Sequence, residues 1–253
     1  PGYEDFYPNN EKLLNKFVSD FAKVTFKKLL TAKLDLRGLL ASAAKPATGD
    51  KPWIYSTNAD QQRKFVELGV AGEIGQNAGS RIWLTLNNAA GNKLEAFQHV
   101  TAVYQLGACG TENINGLPSR DASLTVKVSN KAPASGLPPY TSTRLDNAAG
   151  PNYIRGSNRE LVSVYAPTGA TDNGIFVDGE QVFAHFGMDG KHPIYQVIIE
   201  LNPGESKTVK FNWVEPTQTT AGTPLAVAPQ LNLPASYNRI KAVVRSSGFC
   251  PTN

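Results

Sequence analysis

Ile82-Trp83-Leu84-Thr85-Leu86 is where the hydrophobic period of this chain changes from 3.6 to 2. The residues downstream keep the new period. Leu94 to Leu106 reads as a long return strand after a turn over Asn87–Asn92, and Leu124-Thr125-Val126-Lys127-Val128 alternates cleanly. Leu161–Tyr165, Ile194–Leu201, Thr208–Val214 and Ile240–Val244 continue the series. Asp178-Gly179 and Asp189-Gly190 sit between strand-like runs, as hairpin turns require residues that tolerate positive φ. Asn202-Pro203-Gly204 is a further turn. Short strands at regular spacing predict an antiparallel, Ig-like β-sandwich over residues 81–253. Trp83, Val126, Val164, Ile198 and Phe211 are expected to face its interior.

Upstream of Ile82 the period is helical. Asn10 is placed to cap a helix that carries Leu14, Phe17, Phe21 and Val24 and runs to about Leu30. Asp35 can cap a shorter second helix. Trp53-Ile54-Tyr55-Ser56 reads as a short strand. Asn58 with Gln61 forms a capping box for a third helix bearing Phe65 and Leu68 and stopping at Gly69. The predicted class is therefore α+β: a mostly helical segment with a short strand over residues 1–80, then the sandwich. So few elements cannot close a core alone, so the segment is expected to pack on the sheet or on sequence further upstream.

The chain has 253 residues, 41% hydrophobic and 18% charged, which excludes a disordered chain. Its net charge of +4 comes from 25 basic and 21 acidic residues, with no basic tail or stripe. Nucleic-acid binding is accordingly not expected. No apolar run approaches the roughly 20 residues that span a bilayer. The chain opens Pro1-Gly2-Tyr3, without an initiator Met, and reads as a piece of something longer, with any export signal or membrane anchor upstream.

Cys109 and Cys250 are the two cysteines. They are either unrelated buried thiols or one long-range disulfide. The disulfide is expected, because a cysteine near the end of a chain is useful mainly if it ties that end down. A staple closing so long a loop is worth about 4–5 kcal/mol at most, and it points to an oxidising compartment. Their spacing fits neither a zinc knuckle nor a C-x-x-C redox motif.

Chemistry-bearing patterns are sparse. His99, His185 and His192 match no metal spacing and read as ordinary surface or strand residues. Asp172, Asp178 and Asp189 sit in turns, where Asp serves local hydrogen bonding. Neither a Gly-x-Ser-x-Gly elbow nor a Gly-rich phosphate loop occurs. No catalytic residue, cofactor or metal is therefore expected. Asn87, Asn88 and Asn92 form the densest polar cluster. Turn geometry explains them, and a sugar-binding rim is the functional alternative, because amides donate and accept together. Residues 131–152 form a Pro/Gly-rich loop. Within it Pro138, Pro139 and Tyr140, with Tyr153 just beyond, are the candidates for contact with a partner or a neighbouring copy.

Five segments carry a family resemblance: Leu86–Leu94, Tyr104–Gly110, Asn130–Tyr140, Val164–Ala170 and Leu201–Val209. In this order they resemble the C-terminal region of the actinobacterial family of domain-of-unknown-function number 4012, from roughly Phe17 onward. The family consists of exported, membrane-anchored envelope proteins with no agreed catalytic residues. The resemblance implies a location on the outer face of a bacterial cell envelope and contact with other envelope proteins or cell-wall glycan. The membrane would be reached only through an upstream anchor. A non-enzymatic structural or binding module is the leading expectation. The alternatives are part of a cell-wall glycopolymer transferase or ligase, for which Arg37, Arg63 and Arg81 would have to converge on a pyrophosphate, and a self-assembling subunit of a surface layer or filament.

Overall fold

The structure is a computed structural model that describes residues 11–31, 54–68, 71, 81–110, 112–146, 150–217, 230–232 and 240–246. The chain divides into two compact units, Pro1–Glu73 and Ile74–Asn253.

In the first unit, α1 (Glu11–Thr31) and α2 (Ala59–Glu67) are helices. Among the described residues, no helix is long and apolar enough to cross a membrane. Asn58 caps α2 by accepting from the amides of Asp60 and Gln61. Gln61 does not complete the reciprocal box; its side chain accepts from the Ser56 hydroxyl at 2.8 Å. The expected strand before α2 is not formed over residues 54–56. The Ser56 amide donates to the Gln62 side chain at 2.9 Å, so it is bound by the next helix rather than by a neighbouring strand. Asn10, Asp35, Trp53 and Gly69 lie outside the described residues.

The second unit is mostly β-sheet, and its strands form two sheets around a shared apolar core. Sheet A runs β11 (Gln230–Asn232), β1 (Arg81–Asn88), β5 (Asn158–Tyr165), β9 (His192–Leu201), β8 (His185–Asp189). Sheet B runs β12 (Ile240–Ser246), β2 (Gln98–Leu106), β4 (Leu117–Asn130), β10 (Ser206–Pro216), β6 (Thr171–Val177), β7 (Glu180–Gln181), with β3 (Glu112–Ile114) also on β4. Ile82, Leu84 and Leu86 of β1 meet Val100, Tyr104, Leu124 and Val126 of sheet B in the core, together with Phe211 and Trp213. The alternation that defines the strands thus also builds the core.

Three features correct the expectation. The sandwich is not wholly antiparallel: β11 lies parallel to β1, and β12 parallel to β2. A hairpin turn forces antiparallel pairing, whereas a strand arriving through a long connection is free to lie either way. Trp83 and Ile198 do not face inward. Trp83 is half-buried on the outer side of β1, and Ile198 is 39% exposed. Both strands use the other phase, with Ile82/Leu84/Leu86 and Val197/Ile199 inside. Val126, Val164 and Phe211 are fully buried as expected. Finally, His192 is a strand residue of β9, one of the two settings expected for it, but lies in the interior rather than at the surface. It is fully buried, with Nδ1 2.8 Å from the Ala166 carbonyl and its ring edge-on to Trp83 at 5.4 Å.

The core also contains a buried acid. Glu215 is wholly shielded and accepts from Tyr104 Oη (2.8 Å), Trp213 Nε1 (2.9 Å) and Arg120 Nε (3.0 Å). A buried carboxylate survives when paired and hydrogen-bonded in this way.

Candidate functional site

The Asn cluster resolves into turn chemistry. Asn88 Oδ1 accepts from the amides of Ala90 and Gly91, and its Nδ2 donates to Asn92 and to Glu95. Asn92 is buried, and its amide donates to the Ser157 carbonyl at 2.9 Å. Only Asn87 stands exposed. Beside the cluster, Glu160 is buried and accepts from Asn158. Burial pushes its carboxyl up to about 7, and the nearby Glu95 carboxylate acts in the same direction.

The loop after β4 is tied down rather than loosely solvated. Thr141 accepts from the Lys93 amide at 3.0 Å, and Leu145 donates to Ala90 at 2.8 Å, so the loop is laced to the β1–β2 turn. Pro139–Ser142 form a single helical turn, α3. Pro138, Pro139 and Tyr140 are exposed on it, whereas Tyr153 is half-buried and its hydroxyl accepts from the Arg144 amide. Arg144 in turn bridges Asp146 and Glu200. The Arg144 guanidinium holds the Asp146 carboxyl below the usual range.

Of the three arginines that a glycopolymer enzyme would need together, Arg63 pairs with Asp60 on α2 and Arg81 opens β1, in different units. Arg37 lies outside the described residues. Cys109 is not a free thiol. Cys250 also lies outside the described residues.

A site that the sequence pattern does not reveal lies on one flank of the sandwich. A pocket of about 980 Å³ opens there between sheet A and sheet B. Phe186, Met188 and Tyr195 line it from sheet A, Ile175 lines it from β6, and Val182 and Ala184 come from the segment that crosses between the sheets. Two-residue turns build this flank. Asp178-Gly179, at φ 51° and 91°, joins β6 to β7, and Gly190, at φ 58°, opens the turn from β8 to β9. Val182 and Ala184 pack on the core, while the Phe183 ring between them is fully exposed. Phe186 is 66% and Met188 54% exposed, although both share a sheet face with Tyr195, which is only 5% exposed. The rings of Phe186 and Tyr195 lie 5.8 Å apart. Burial, helped by the charge of Asp172, pushes the Tyr195 phenol up to about 12, so it stays a neutral wall. The available signal was the chain's single methionine and two phenylalanines in one hairpin arm between Asp-Gly turns. Chemically this is an apolar trough rimmed by Asp172, Gln181 and Lys191. It holds no nucleophile–base pair; its equipment suits binding.

No family model matches this chain, and no curated protein matches it. Among solved structures it is similar to a Legionella pneumophila protein named for nutrient binding. That match has 9% identity over 55% of this chain and 44% of the other, at a TM-score of 0.33. It is also similar to an M1 zinc metallopeptidase from Deinococcus radiodurans, at 14% identity over 51% of this chain and 22% of the other, with a TM-score of 0.24. The chain thus covers less than half the length of either.

Proposed function

We propose that this chain is a non-enzymatic, extracytoplasmic cell-envelope protein whose Ig-like sandwich docks another envelope protein in the flank trough. The observation that carries this reading is the cluster of Phe183, Phe186 and Met188. All three are exposed and contiguous with a pocket large enough for a bound segment. Apolar surface concentrated in this way marks an interaction site rather than ordinary surface. The family resemblance supplies the compartment, and a Cys109–Cys250 disulfide fits it. The tied-down loop bearing Tyr140 offers a second, smaller contact surface.

The test is site-specific crosslinking in the native host. A photoreactive amino acid placed at position 183 should yield discrete adducts with envelope proteins. The same probe at Lys127, exposed on the outer side of β4, should not. Absence of adducts from position 183, or equal yields from both positions, would overturn the reading.

A further inference from the structure

The trough has a backbone component as well as an apolar one. The two-residue turn at Gly190 sets Asp189 opposite His192 and Met188 opposite Pro193. Pro193 has no N–H, so Met188 and Pro193 cannot be a hydrogen-bonded pair. In an antiparallel ladder the two pair types alternate. Gly187 therefore exchanges its bonds with Ile194, and the amides and carbonyls of Phe186 and Met188 point away from β9. Among the described residues no strand lies beyond β8 in sheet A. The outer side of β8 thus presents a ready row of donors and acceptors.

The side chains of the same two residues lie on the inner face of sheet A, in line with Tyr195, and yet stand more than half exposed. Sheet A therefore extends farther than sheet B covers it. On this flank sheet B stops at β6 and the two-residue β7. Exposed edges are ordinarily guarded by lysine, proline or a bulge. β8 contains neither residue, and its register with β9 is unbroken.

We infer that the trough receives one extended segment of the partner protein, which adds to the outer side of β8 as a further strand and fills the space between the sheets with alternate apolar side chains. The inference rests on the binding role proposed above and specifies the form of the ligand. Strand addition uses main-chain hydrogen bonds for affinity and pockets for every second side chain for selectivity. Here both sit on the same two residues. The alternate side chains of one added strand would enter the pocket that β6, β8 and β9 line, and the experiment separates such a segment from the edge of a second copy.

The experiment selects octapeptides from a random display library against the whole chain. The best binder is then synthesised in three forms: unmodified, and N-methylated at either set of alternate amides. Affinity is read by fluorescence anisotropy, and β8 protection by amide hydrogen exchange. The selected sequences should alternate apolar and polar residues. Methylation of one set should weaken binding at least tenfold and of the other should leave it unchanged, and the Phe186 and Met188 amides should become protected. Met188→Pro, which removes an outward N–H that the ladder does not use, should weaken binding at least tenfold with little change in Tm. No enrichment, or protection elsewhere, would overturn the inference. So would a concentration-dependent dimer abolished by Met188→Pro, which would make a second copy the occupant. Binding that Phe186→Ser abolishes but methylation of neither set affects would refute strand addition while leaving the trough as the docking site. Loss of the crosslinks from position 183 would instead remove the docking role itself.

Discussion

Replacing Glu160 with Gln should stabilise the sandwich, and the gain should depend on pH. Glu160 is shielded, with the Asn158 amide donating to it and the Glu95 carboxylate nearby. Its carboxyl is displaced from the usual 4.5 to about 7. A carboxyl raised in the fold holds its proton there while the unfolded chain has already lost it. Stability from this group is therefore intact below pH ~4.5 and is lost as pH rises through about 7. Each pH unit of displacement is worth about 1.4 kcal/mol, so the full penalty is about 3 kcal/mol. Gln keeps an acceptor for Asn158 and never ionises. The stability difference between Glu160→Gln and the parent should be near zero at pH 4 and grow to about 3 kcal/mol by pH 8. With an m-value of about 1–3 kcal/mol per molar urea, that is a midpoint shift of at least about 1 M. Urea titrations at several pH values, followed by the far-UV β-sheet signal, measure it. Taking the difference between the two proteins cancels the other titrating groups. A gap that stays constant across the range to within about 1 kcal/mol would refute the argument that burial governs this carboxyl.

The core and the cysteines supply two more expected outcomes. Glu215→Ala leaves Arg120 charged and buried and strips an acceptor from Tyr104 and Trp213. It should cost about 3–5 kcal/mol in denaturant unfolding, whereas Tyr104→Phe, which removes one charge-assisted hydrogen bond, should cost about 1.5–3 kcal/mol. Non-reducing peptide mapping should recover Cys109 and Cys250 in one crosslinked fragment, and Cys109→Ser should lower stability by about 2–5 kcal/mol; two free thiols after native purification would rule the staple out.

The strand positions were legible because alternation is local: Leu124–Val128 occupies β4 as its pattern requires, with Leu124, Val126 and Val128 inside. Turns were legible where Asp-Gly announced them. Asn115-Gly116, at φ 52° and 80° between β3 and β4, carries the same signal at a turn the strand pattern alone does not reveal. Which face turns inward was harder to read. In β1 the bulk of Trp83 suggested an interior, but three aliphatic residues on the opposite phase outweigh one ring that packs equally well against His192. The parallel edges left no trace in the sequence, since no short turn links β11 or β12 to its neighbour. The trough escaped for a related reason. Phe186 and Met188 sit at alternate positions of β8, as core residues of a strand do, and only the early end of sheet B leaves them uncovered.

The parallel edges also bear on how the protein is made. β1 and β2 open the sandwich, yet the strands that finally flank them begin at Gln230 and Ile240. A chain synthesised from its N-terminus therefore holds two raw sheet edges open while the residues between Leu106 and Gln230 are made, at about 5–20 residues per second. Pairings so distant in sequence also form slowly, on a scale of milliseconds to seconds. During that interval the nascent chain is a template for the wrong neighbour. A cell that makes it must either keep it extended until the last strands have left the ribosome or hold those edges with a chaperone.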